Sequence, residues 1–174
     1  MLISAKDKNA IDSGKVRSEA EEEIRRLIES IEWALSRFRA EIDSDPRQAF
    51  EKAFLAWKAA VALLIARYIL ENPDPGNPVV RELVELGVVS VSRSEEVEVR
   101  VKTSRAVKAL KVLKRTRLAR YAEELLGVRD AAFRLHSAFY DDPEHSGYAD
   151  VDEAVGDAKK VIDVVEKVVN SVSG

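Results

Sequence analysis

The chain has 174 residues, 46% hydrophobic and 34% charged, enough for one buried core and too few for two. Its 28 Lys and Arg nearly cancel 31 Asp and Glu, leaving a formal net charge of -3, which excludes a bulk-basic nucleic-acid carrier and an acidic disordered chain. No apolar run long enough for a membrane span is expected, and so no membrane role. The absence of cysteine excludes a disulfide framework, a thiol nucleophile and a cysteine zinc site. Lys6, Asp7 and Lys8 interrupt the apolar stretch that a secretory signal needs, so a cytoplasmic location is expected. Few thermolabile side chains beside abundant Glu, Lys and Arg match the composition of thermophile proteins.

Residues 1–17 are expected as a flexible segment and residues 18–172 as a single domain. Ser18 with Glu21 reads as a capping box, followed at helical spacing by Ile24, Leu27, Ile28, Ile31, Leu35 and Phe38. Asp45, Pro46 and Gln48 form a second helix start. The helix that follows, through about Leu70, is apolar around most of its circumference and belongs at the centre of a bundle.

The segment from Asn72 to Pro78 carries three prolines and a glycine and ends that helix. A short helix from Val79 to Leu86 is expected next. Valines then alternate with polar residues on both sides of Arg93-Ser94-Glu95-Glu96, which predicts a small β-hairpin near residues 88–101 that must lean on the bundle or on a partner. One helix is expected from Ser104 to Gly127, a shorter one from Val128 to Asp142, and a last one from Asp150 to about Ser171. The fold class is all-α, an up-and-down bundle of about five or six helices.

Charge balance fails locally. Arg100, Lys102, Arg105, Lys108, Lys111, Lys114, Arg115, Arg117 and Arg120 form a run with no acidic residue among them. Arg105, Lys108, Lys111 and Arg115 share one flank of a helical wheel, a candidate footprint for a phosphate backbone. The competing reading is a solvated face paired with acids at Glu19 to Glu23 and between Asp141 and Asp163. Lys114 and Arg117 fall on the apolar side of that wheel, which calls for a break near Thr116 or a buried partner.

Arg129 and His136 stand seven residues apart, so they project from the same face of one helix. The wheel places both within the apolar arc, where an unpaired guanidinium is costly, so a carboxylate, a second subunit or a ligand phosphate should meet it. The two have the parts for metal-free RNA cleavage, with His136 as general base on a 2′-hydroxyl and Arg129 stabilising charge on phosphorus. His145 lies in a polar loop with no repeated ligand spacing, so no metal is expected there. No cofactor motif occurs. Trp33 and Trp57 both sit at helical positions among apolar neighbours, and core packing is expected for Trp57.

An Arg, four to six residues and a His on a late helix of a small bundle resembles the HEPN superfamily, the higher eukaryote and prokaryote nucleotide-binding domains. Residues 45–60 together with Leu135-His136-Ser137-Ala138-Phe139-Tyr140 are similar to the archaeal PaREP family within it. The resemblance covers roughly residues 20–70 and 118–170. It implies Arg129 and His136 at the catalytic positions, with Asp130 as the polar residue that follows the Arg and Tyr140 nearby as a binding residue. It also implies a metal-independent endoribonuclease, a homodimer whose Arg and His pairs line one cleft, and, for some members, a nucleotidyltransferase antitoxin partner in a toxin and antitoxin pair. The alternative is a non-catalytic interaction or dimerisation module that binds RNA, a nucleotide or a protein, with Arg129 and His136 structural.

Overall fold

The computed structural model describes residues 13–92 and 96–173. Among them are seven α-helices and one small sheet: α1 (Ser13–Glu41), α2 (Pro46–Glu71), α3 (Pro78–Glu85), β1 (Val89–Val91), β2 (Val97–Val99), α4 (Thr103–Leu113), α5 (Ala119–Gly127), α6 (Arg129–Tyr140) and α7 (Val151–Val172). The all-α class with a small hairpin insertion is therefore correct. The helix count exceeds the expected five or six because the stretch from Ser104 to Gly127 is two helices. Thr116 explains the break: its hydroxyl donates to the Leu113 carbonyl at 2.7 Å and accepts from the Leu118 amide at 3.1 Å, substituting side-chain bonds for the helical ladder. Lys114 and Arg117 consequently leave the apolar side, Lys114 pairing with Glu123 and Arg117 with Glu71.

The first helix also departs from expectation. Ser18 caps nothing, because residues 13–17 are already helical and Val16 and Ala20 are both buried. Five residues assigned to a flexible segment thus belong to α1, while residues 1–12 lie outside the described residues. The starts of α2 and α7 match the sequence: the Asp45 carboxylate accepts from the Gln48 amide, and the Asp150 carboxylate accepts from the Glu153 amide at 2.8 Å.

Helix α2 is the centre of the molecule. Phe50, Phe54, Trp57, Leu63, Leu64 and Ile65 are all inaccessible, and α1, α4, α5, α6 and α7 pack around it. Contrary to the expectation of no long apolar segment, α2 is apolar and long enough to cross a bilayer by composition, but its circumference is buried against protein. It runs back along α1, with Lys52 beside Glu41 at 3.5 Å and its Nζ over the ring of Trp33, two turns earlier in α1. After α3, Gly87 takes a left-handed backbone, φ 73°, and turns the chain into the hairpin. Val89 pairs with Val99 and Val91 with Val97 in antiparallel register. Val89, Val97 and Val99 are buried and the hairpin leans on α1, as a two-stranded sheet must to persist. Residues 93–95 of its expected turn lie outside the described residues.

Candidate functional site

The site is built on the contact between α2 and α6, which run antiparallel. Phe54 and Trp57, both inaccessible, face α6 and anchor its aromatic residues. The Trp57 ring meets Phe133 edge-on at 5.5 Å, and its Nε1 donates to the Leu125 carbonyl at 2.9 Å. Phe54 stacks on the His136 imidazole with centroids 4.1 Å apart and planes 26° apart. Tyr140 closes the other side edge-on, 5.1 Å from the imidazole. Arg47 donates to the carbonyls of Phe139 and Asp141 at 3.0 and 3.3 Å, satisfying acceptors that the end of α6 leaves open.

His136 Nδ1 lies 2.9 Å from Glu51 Oε2, and this carboxylate is mostly buried. Sequence reasoning did not single out Glu51. Its only sequence signal is that it shares a face of α2 with Leu55 and Lys58 at i+4 and i+7, and nothing in that spacing names a residue 85 positions away. With Nδ1 engaged by a carboxylate, Nε2 is the nitrogen left for other chemistry, and the side chain keeps 30% of its accessible surface.

Arg129 differs from expectation. It opens α6, keeps 40% of its side-chain surface and, among the described residues, pairs only with Asp130, Nε to Oδ1 3.7 Å. A helical wheel gives direction but not depth, and at the first residue of a helix the apolar arc already borders solvent. The guanidinium therefore needs no buried partner: the intramolecular carboxylate meets His136 instead. Asp130 is almost fully exposed and stands in the first turn, where a carboxylate favours the helix dipole. Tyr140 is 66% exposed.

The basic run is not one surface. Arg100 pairs with Glu98 at 2.8 Å, Arg115 with Glu82, Arg117 with Glu71 at 2.7 Å, and Arg120 with Glu124 at 3.7 Å. These acids lie on α2, α3, α5 and β2, so the expected partners at Glu19 to Glu23 and beyond Asp141 are not the ones used. Glu22 and Glu23 instead pair with Arg25 and Arg26 on their own helix. Arg105, Lys108 and Lys111 are exposed and enter no ion pair among the described residues. Arg117 meets the last residue of α2 while His136 meets Glu51, twenty residues earlier, so the two regions lie about 30 Å apart along that helix. The structure does not bring Arg105, Lys108, Lys111 and Arg115 together with Arg129 and His136 in a compact site.

Away from this contact, Glu71 and Tyr148 are held off their ordinary protonation ranges. Hydrogen bonding to Arg117 holds the Glu71 carboxyl below the usual carboxylate range. Burial pushes the Tyr148 phenol well up, helped by its 2.9 Å bond to Asp157, which also accepts from Arg134 at 3.3 Å. This trio secures the loop of residues 143–148 against α6 and α7, and His145 lies exposed on its 3-10 turn. Compared with known proteins, the chain matches no protein-family model, no curated protein and no solved structure.

Proposed function

We propose that the chain is a HEPN-like bundle that binds RNA and cleaves it without a metal, with His136 as general base and Arg129 as the phosphate-binding cation. The observation that supports this reading is the Glu51 to His136 bond. A carboxylate at Nδ1 fixes the imidazole tautomer, orients the ring and stabilises the cation that forms when Nε2 takes a proton. Nε2 removes the proton of a 2′-hydroxyl, and that oxygen attacks the adjacent phosphorus. The bond from phosphorus to the 5′-oxygen breaks, the departing oxygen takes a proton from water, and a 2′,3′-cyclic phosphate remains. Arg129 starts about 10 Å along α6 from His136, so the phosphate would lie between the two side-chain ends. The unpaired cations Arg105, Lys108 and Lys111 would hold a more distant part of the strand.

Cleavage of single-stranded RNA in EDTA tests the reading. His136→Ala should reduce the rate by about 10²–10⁴-fold, with Arg129→Ala also impaired. Cleavage that survives both substitutions unchanged refutes the assigned roles.

The same bond also favours a second reading, in which Glu51 and His136 form a structural clasp in a non-catalytic interaction module. In that case no RNA is cut, and Glu51→Gln and His136→Ala lower stability only.

A further inference from the structure

A cleft of about 680 Å³ opens between α1 and α2, lined by Arg26, Glu29, Trp33, Leu55, Lys58 and Ala59 among others. It adjoins the Glu51 to His136 contact. Glu51, Leu55 and Lys58 stand at i, i+4 and i+7, so one stripe of α2 carries the carboxylate under the imidazole and then floors the cleft, within about 10 Å along the helix. Phe54 flanks this stripe on the α6 side, stacked on His136, and Lys52 flanks it on the α1 side, its Nζ 5.7 Å from the centroid of the Trp33 ring. His136 and Trp33 therefore border the same strip of surface from opposite sides.

The contents of the cleft identify its occupant. Trp33 keeps 55% of its surface, with Leu55 exposed beside it. An open aromatic ring is a platform on which a base can stack. Lys58 enters no ion pair among the described residues, which leaves its ammonium for a phosphate. Glu29, one turn before Trp33 on α1, is likewise in no ion pair among the described residues. A carboxylate repels phosphate, so its use beside a stacking platform is toward the base edge, where it accepts hydrogen bonds and donates none. Guanine presents two adjacent donors that match two carboxylate oxygens, whereas uracil presents one N–H between two carbonyl oxygens.

We propose that this cleft binds a guanine of single-stranded RNA beside the bond to be cut. The base stacks on Trp33, Glu29 accepts from its Watson–Crick edge, and Lys58 holds the adjoining phosphate. The inference rests on RNA binding at the His136 face and names the base that is read there.

Binding of 2′-O-methyl RNA, which lacks the attacking hydroxyl, tests it on the full chain without cleavage. Anisotropy of a labelled strand reads total binding, and quenching of tryptophan emission reads the stack, because Trp57 is inaccessible and Trp33 open. The expected result is quenching that saturates with binding, and about tenfold higher affinity for a uridine strand carrying one guanosine than for oligouridine. Trp33→Ala should weaken binding by about tenfold, Trp33→Phe should retain most of it, and both should keep the original circular dichroism spectrum. Glu29→Gln should abolish the guanosine preference without weakening oligouridine. Lys58→Ala should weaken both strands alike and reduce the salt slope by about one. RNA that binds without quenching, or with equal affinity for the two strands, overturns the inference and leaves RNA binding in place. RNA that does not bind at all overturns both. Protection of Trp33 from iodide in the RNA-free chain means that protein already covers the ring, and overturns the inference too. Guanosine-dependent quenching in a chain that leaves unmodified RNA uncut supports the cleft and refutes only the role of His136 as base.

Discussion

Glu51 and His136 are 85 positions apart and meet at 2.9 Å, joining the N-terminal part of α2 to the middle of α6. The bond places a carboxylate under an imidazole that is itself held between Phe54 and Tyr140. Its contribution to stability is separable from any chemistry because Gln keeps the shape of Glu and loses only its charge.

Glu51→Gln is expected to destabilise the fold by about 1 kcal/mol, less than a buried hydrogen bond to a charged group contributes, because the imidazole is partly exposed. Urea denaturation at neutral pH measures it. A loss of cleavage much larger than the matching loss of stability would favour the catalytic role.

Phe54→Ala removes a fully buried ring that touches Trp57, Phe133 and His136. The expected cost is about 3–5 kcal/mol, close to that of other buried aromatic truncations. Loss of order at His136 should accompany it, read from the imidazole resonances by NMR.

Tyr148 sets an alkaline limit. Its phenol is raised in the folded chain, so the stability it contributes is complete below the unfolded tyrosine value of about 10 and declines as pH rises above it. Tyr148→Phe should cost about 1 kcal/mol at pH 8 through the lost bond to Asp157, and the gap between the two proteins should narrow above pH 10. Urea midpoints across that range decide it. A constant gap means that the phenol does not carry the alkaline loss.

Glu71 acts at the opposite end of the scale. Its carboxyl is lowered by Arg117, so its contribution is present above the unfolded value of about 4.3 and fades as pH falls through the lower folded value. Glu71→Gln should remove this part of the acid dependence and leave the alkaline side unchanged.

RNA binding, if carried by α4, should distinguish paired from unpaired cations. Reversing Arg105, Lys108 or Lys111 should each reduce the salt slope of RNA affinity by about one. Reversing Arg115 should have a smaller effect because Glu82 already occupies it. Equal effects at all four positions would show that the ion pair opens freely.

The sequence shows most clearly what is local. Asp45 with Pro46 and Asp150 act within one turn of themselves, and their helices start where those residues place them. The valine alternation near residues 88–101 likewise predicts a hairpin, since period two survives whatever it packs against. Ser18 misleads because a capping pattern inside a longer helix looks the same as one at its start. The depth of Arg129 and the partner of His136 depend on which helix lies alongside α6, and that is decided by packing on α2. Trp33 and Trp57 show the same limit: both sit at helical positions among apolar neighbours, yet Trp57 is enclosed and Trp33 open, because only Trp57 faces two other helices.

The hydrogen bonds that bracket α6 all originate on α2: Trp57 holds the carbonyl of Leu125 just ahead of it, and Arg47 holds those of Phe139 and Asp141 at its end. A rod pinned at both ends to one rigid support can neither slide nor roll, so the azimuth of His136 is fixed before any ligand arrives. Cutting or replacing the surface loop after Asp142 should leave that aim intact, whereas loosening either pin should let the imidazole drift while the helix itself remains folded.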